Sequence, residues 1–198
     1  MANKRTAKLA RKTKETDISI ELGLDGSGKY KVDTTVPFLG HMLELMCKHG
    51  LLDAKIKARG DTHIDDHHTV EDVGLALGAA LKQALGDMKG IRRYGFASVP
   101  MDETLAEVSI DISGRPYLVF NVCYPKKAKI KGFETDLVLH FLESLVAKSQ
   151  VTLHVNVPYG RNVHHMVEAV FKALGRAIRD AVELDPRVKG VPSTKGKL

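Results

Sequence analysis

The chain has no tryptophan, only two cysteines, and aromatic residues at 6% of its 198 positions. Each shortage excludes something. Cys47 and Cys123 lie far apart and outside any ligand-like spacing, so they read as reduced thiols filling the core, not as a disulfide or a zinc site. Sparse aromatics with no basic–aromatic interleaving leave a nucleic-acid module without its stacking surface. No apolar run approaches a membrane-spanning length. The basic amino terminus lacks the apolar stretch of a secretory signal. A cytoplasmic protein is the expectation.

Acid is missing from one place. Lys4, Arg5, Lys8, Arg11, Lys12 and Lys14 all precede the first carboxylate, Glu15, and they account for the whole net charge of +6. The remainder is balanced. The excess therefore belongs to an N-terminal arm, residues 1–14, expected as a solvated edge strand or tail; it could touch RNA or an acidic partner, but nothing else supports nucleic-acid binding. With 43% hydrophobic residues, the chain can bury a sizeable core as one domain or as two intimately packed halves.

What is present is one short pattern, twice: His67-His68-Thr69-Val70-Glu71 and His164-His165-Met166-Val167-Glu168. On a helix, residues three and four apart project to one side, so the first His of each pair can chelate together with its Glu. The adjacent His lies about 100° around the axis and more easily serves a second ion. Imidazole with carboxylate is a ligand set for Mn, Fe, Zn or Ni. One copy would read as histidines at a helix start; two copies point to a duplicated metal-binding unit.

The surrounding elements repeat as well. Ile18–Leu24 and Lys29–Asp33 read as a hairpin around Asp25–Gly28. Pro37 opens a helix to about Lys48, with Gly50 as its C-terminal stop. A strand at Leu52–Arg59 and a helix from about His67 to Met88 complete the first half. In the second half, strands at Leu105–Ser113 and Pro116–Tyr124 are followed by a helix near Asp136–Ala147, a strand at Val151–Val157 and a helix at Val163–Glu183. His41-Met42-Leu43-Glu44 matches His140-Phe141-Leu142-Glu143, adding one His to each set. The expected fold is α/β (α+β): two similar β-β-α-β-α halves from internal duplication, with helices packed on one face of each sheet. The expected divisions are a basic arm at 1–14, a first half at 15–88, a linker at 89–104, a second half at 105–184 and a tail at 185–198. Two metals are expected, each drawing ligands from both halves or from a neighbouring subunit. His49, His63 and His154 lack repeat partners and read as loop or cap residues. Asp65 and Asp66 read as helix caps or as groups orienting imidazoles. Zinc proteases are a poor match, since no His-Glu-x-x-His occurs.

The motifs closely resemble those of the imidazoleglycerol-phosphate dehydratase family of histidine biosynthesis. The matching stretches are Pro37–Met42, Gly60–Asp72, Ser113–Tyr117, His164–Lys172 and Pro192–Gly196, which span nearly the whole chain. Gly40 departs from the family's usual Asp, and Leu45 stands where some members carry a polar residue. The resemblance implies loss of water from imidazoleglycerol phosphate to give imidazoleacetol phosphate, with two Mn²⁺ ions. It also implies a 24-subunit shell built from trimers, with active sites between subunits. The metal ligands implied are His41, His67, His68, Glu71, His140, His164, His165 and Glu168. The implied phosphate contacts are Arg93, Arg115, Lys172, Ser193 and Lys195, and Glu15 is implied beside the reacting carbons. On spacing alone, Arg92 and Arg93 cannot be told apart, Lys172 could equally be an i,i+4 ion-pair partner of Glu168, and Pro192–Gly196 reads as a frayed tail.

Chemistry favours the same reading. The proton to be removed lies beside a carbinol, not a carbonyl, so the electron source must be the substrate's own imidazole. Metal-stabilised imidazolate would expel the neighbouring hydroxyl, with Glu71 or Glu168 moving the ring proton and Glu15 serving the carbon side. Two other classes share the ligand spacing: a dinuclear metallohydrolase acting on a phosphoester, which spacing alone does not exclude, and a metal-storage protein, which would leave the arginines and the Ser-Thr-Lys tail without a task.

Overall fold

In strand β2 (Thr16–Gly23), Thr16, Ile18, Ile20 and Leu22 are buried while Asp17 and Ser19 face water, the period-two pattern of a sheet covered on one side. A computed structural model describes residues 5–125 and 127–198. The first half comprises β1 (Thr6–Lys12), β2, β3 (Tyr30–Thr34), α1 (Pro37–Gly50), β4 (Asp53–Gly60) and α2 (His67–Leu85). The second comprises β5 (Tyr94–Met101), β6 (Thr104–Asp111), β7 (Tyr117–Asn121), the short pair β8 (Lys129–Ile130) and β9 (Phe133–Glu134), α3 (Asp136–Ser149), β10 (Thr152–Tyr159) and α4 (Val163–Val182). The sheet orders are β1-β2-β4-β3 and β5-β6-β10-β7, the same topology twice. The halves are duplicates.

Three expectations change. The basic arm contains β1, paired antiparallel along its length with β2, and the expected linker 89–104 contains β5, paired with β6. Each half is therefore β-β-β-α-β-α. The arm is thus the charged edge strand that its sequence allows, while β5 is masked because the Gly and Pro around it blur a weak alternation on an edge strand. The expected β2–β3 hairpin does not form: β4 lies between them, antiparallel to β2 and parallel to β3. Its turn signals serve a loop instead, in which Asp53 Oδ1 accepts the N–H groups of Ser27 (2.8 Å) and Lys29 (2.9 Å). In the second half, β10 separates β6 from β7 in the same way.

Each sheet is covered on one face by its own helices, and the helices then pack crosswise, α1 on α4 and α2 on α3. Both pairs cross between halves, and within the second half Phe141 of α3 meets Phe171 of α4 at 5.4 Å between ring centroids. Gly50 does not stop α1; Leu51 takes the left-handed cap (φ 51°). Gly50 is small because α4 passes there: a Cβ would lie 2.8 Å from the carbonyl oxygen of Gly175. On Gly175 in turn, a Cβ would lie 2.3 Å from that of Met46. Among the described residues no helix is long and apolar enough to cross a membrane.

Candidate metal centre and active site

The crosswise packing brings the first two histidine sets together. His41 on α1 faces His164 and Glu168 on α4; ligand atoms of these three residues all lie within 4.8 Å of one another. His164 Nε2 is 3.2 Å and His41 Nε2 is 3.8 Å from Glu168 Oε2. Among the described residues this is the one group so converged. Its duplicate on α2 and α3 is more open: His67 Nε2 lies 3.9 Å from Glu71, and the rings of His67 and His140 stand 4.8 Å apart. His140 Nδ1 faces Glu143 at 3.5 Å. Each group takes one helix from each half.

The second His of each pair points elsewhere. His68 Nδ1 is held by Asp61 at 3.1 Å, with Glu15 at 4.0 Å. His165 Nδ1 is held by Glu103 at 2.8 Å. These hydrogen bonds raise the pKa of both imidazoles above the ordinary value, Asp61 being the largest cause for His68 and Glu103 for His165. Glu103 itself is drawn well below the carboxylate range, first by the backbone N–H of Asn162 and then by His165. A carboxylate on Nδ1 fixes the ring and leaves Nε2 as the free nitrogen. Asp61 falls in the matching stretch Gly60–Asp72 without an assigned role, and Glu103 is not among the residues the sequence singles out. The available signal was the pair Glu15-Thr16 recurring as Glu103-Thr104, concealed because it fell inside the supposed linker.

The helix starts are built alike. Asp65 Oδ1 accepts the His67 N–H at 2.8 Å, and Asn162 Oδ1 accepts the His164 N–H at 3.0 Å. Asp66, expected as a cap, occupies the cap position without a side-chain cap bond. His49 lies in the last turn of α1 and His154 in β10, not in loops.

The expected phosphate contacts are dispersed. Arg93 is largely committed: Nε and Nη2 grip Asp111 at 2.7 and 3.1 Å, and Nη1 donates to the Pro192 carbonyl at 2.9 Å. That last bond ties the segment carrying Ser193 and Lys195 to the second sheet, so Pro192–Gly196 is anchored at its start. Arg115 is exposed, donating to the Ser113 carbonyl at 3.3 Å. Leu198 passes beside Gly114. Lys172 lies with the metal-type group, its Nζ 2.5 Å from Glu168 Oε1. Burial pushes Glu168 up, but Lys172 and the neighbouring imidazoles outweigh it and leave its pKa lowered. Glu15 is exposed in the β1–β2 turn. At Gly40, a Cβ would meet Thr34 Cγ2 at 2.9 Å, so a side chain there requires Thr34 to give way.

Fold and site define a duplicated α/β protein that assembles imidazole–carboxylate groups between its halves, a ligand set suited to a first-row divalent ion. The imidazoleglycerol-phosphate dehydratase family model matches residues 34–178. Imidazoleglycerol-phosphate dehydratases of Geobacter metallireducens and Geobacillus kaustophilus are each 59% identical over 98% of this chain and 99% of their own length. The solved structure of the Staphylococcus aureus dehydratase superposes with a TM-score of 0.82 at 39% identity, covering 91% of this chain and 99% of that one. That of Pyrococcus furiosus, in complex with (S)-C348, gives 0.81 at 38%, over 96% and 100%. The chain belongs to the imidazoleglycerol-phosphate dehydratase family.

Proposed function

We propose that the chain removes water from imidazoleglycerol phosphate, giving imidazoleacetol phosphate in histidine biosynthesis. The observation that carries this reading is the convergence of His41, His164 and Glu168 from opposite halves, with a duplicate at His67, Glu71 and His140. These residues would hold two divalent ions, for which Mn²⁺ is proposed, with Zn, Fe or Ni as substitutes. Bound there, an ion supplies Lewis-acid charge beside the substrate's ring nitrogens. His68 and His165, with Nδ1 anchored outside both groups, are assigned to the corresponding groups of neighbouring copies. That assignment supports self-association, proposed as a 24-mer of trimers in the cytoplasm.

The protein's own groups would divide the proton work. Glu71 and Glu168, each four residues after a histidine, sit where a ring N–H would be relieved of its proton. Glu15 would take the proton from the carbon that keeps its hydroxyl, after the other hydroxyl has left as water; the resulting enol becomes the ketone. Arg93 retains two of its five N–H donors for phosphate, alongside Arg115, Lys172, Ser193 and Lys195. Lys172 would first have to loosen its hold on Glu168. Incubating manganese-loaded protein with imidazoleglycerol phosphate should yield the ketone without inorganic phosphate. Phosphate release would favour a hydrolase, and no reaction a storage role.

A further inference from the structure

Duplication gives the strand and helix positions of the first half counterparts in the second, and the turns that carry Glu15 and Glu103 have diverged. Each lies in the turn joining the first two strands of its half, residues 13–15 in the first and 102–103 in the second, and each Glu is followed by a buried Thr, Thr16 or Thr104. In the second half the Thr104 hydroxyl donates to Glu103 at 3.0 Å, and the same carboxylate oxygen accepts the N–H groups of Asn162 and Arg161. Asp102 takes a left-handed conformation (φ 47°) to bring this about. Glu103 is clamped.

In the first half the equivalent hydroxyl goes elsewhere. Thr16 Oγ1 donates to the buried carboxylate of Asp72, on α2, whose other oxygen accepts from Arg11 Nε at 2.7 Å. The counterpart of Asp72 is Ala169 and that of Arg11 is Val99, so the second half cannot make this bond. Proton accounting then fixes the remaining direction. A carboxylate only accepts, so Thr16 has spent its one proton, and the 3.1 Å contact between the two hydroxyls must run from Thr13 to Thr16. The lone pairs of Thr13 Oγ1 are left for the N–H groups of Glu15 (3.1 Å) and Thr16 (2.9 Å). The counterpart of Thr13 is Met101, which offers no such acceptor. The Glu15 carbonyl meanwhile accepts the N–H of Asp61 at 3.1 Å. Backbone and neighbours are pinned while the carboxylate, among the described residues, meets only His68 Nδ1, at 4.0 Å.

We infer that Thr13, Thr16 and Asp72 form a positioning relay that withholds Glu15 from the clamp seen at Glu103 and fixes its turn against α2, so that its carboxylate can reach the reacting carbon. The inference rests on the acid–base assignment of Glu15 above. Its test is the full-length, manganese-loaded protein carrying Thr13→Val, with Thr13→Ser as the conservative rescue and Thr16→Val as a second break in the same relay. Turnover should fall between about 10- and 100-fold in both Val variants, the cost of a base held slightly out of place. Metal content and KM should stay near those of the parent. On substrate deuterated at the carbon that loses its proton, the isotope effect on kcat/KM should rise, and Thr13→Ser should restore both quantities. If Glu15→Gln is inactive while both Val variants keep parental turnover and isotope effect, the relay is wrong and the role of Glu15 stands. A loss of turnover matched by loss of folded protein, with the isotope effect unmoved, also overturns it. Full activity of Glu15→Gln would instead sink the assignment beneath it.

Discussion

At the scale of single residues, the site separates into groups that meet and groups that are held apart. Glu15 is exposed and reaches only within 4.0 Å of His68, whereas its duplicate Glu103 is fully engaged. Glu15→Gln should abolish turnover while leaving the metal-to-chain ratio intact, measured by rate assay and elemental analysis on the same sample. The two thiols should differ sharply. Burial pushes Cys47 up to about 12, since a thiolate in the apolar core has no water to solvate it, while Cys123 is exposed. An aromatic disulfide reagent at pH 8 should titrate one thiol per native chain rapidly, and a second only on denaturation. Fast reaction of both would mean that α1 opens. None of this divergence between matching residues could be read from the repeated motif, because the spacing that identifies His-His-x-x-Glu is silent about what sits across from it.

At the scale of elements, the crossing of α1 and α4 both closes the core and sets the distance between His41 and His164. Gly175→Ala would place a methyl 2.3 Å from the Met46 carbonyl oxygen and force the helices apart. A cost of about 1–3 kcal/mol is expected, typical of overpacking. Weaker retention of metal should accompany it. Gly132→Ala, with no atom within 4 Å of its added carbon, should leave Tm and metal binding unchanged and serves as the control. The loop after β2 makes a pH-dependent contribution. The backbone N–H groups of Lys29 and Ser27 hold Asp53 below its ordinary 3.8. A carboxyl depressed on folding stabilises the native state above its unfolded pKa, and that stability is lost as pH falls through the folded value. The protein should therefore exceed Asp53→Asn in Tm at pH 6, and the gap should narrow below about pH 4.

At the scale of the whole molecule, each cross-half group of donors described above has three residues, while His68 and His165 are held outside both groups through Nδ1 by Asp61 and Glu103. If those two histidines complete the groups of neighbouring copies, ion binding and assembly are one equilibrium, and a bound ion stabilises whatever species offers the full ligand set. Treatment with a chelator should lower Tm and shift the particle to a smaller mass by light scattering, and Mn²⁺ should reverse both. A particle whose mass ignores chelation would remove the bridging role of His68 and His165.

The sequence alone carried the duplication, the α/β class, the four helices and the imidazole and carboxylate residues that those helices bring together, because local periodicity and repeated motifs are properties of the chain itself. It read the basic arm as a solvated edge strand or tail but left β1 out of the first half, it missed β5, an edge strand whose Gly and Pro blur the alternation, and it paired β2 with β3 because nearby turn signals resemble a hairpin. Only the tertiary structure placed β4 between those strands, crossed α1 with α4 and α2 with α3, and set Asp61 against His68. Those outcomes follow from burying two apolar sheet faces against a shared layer of helices, a requirement met between residues a hundred positions apart and therefore invisible in any short window.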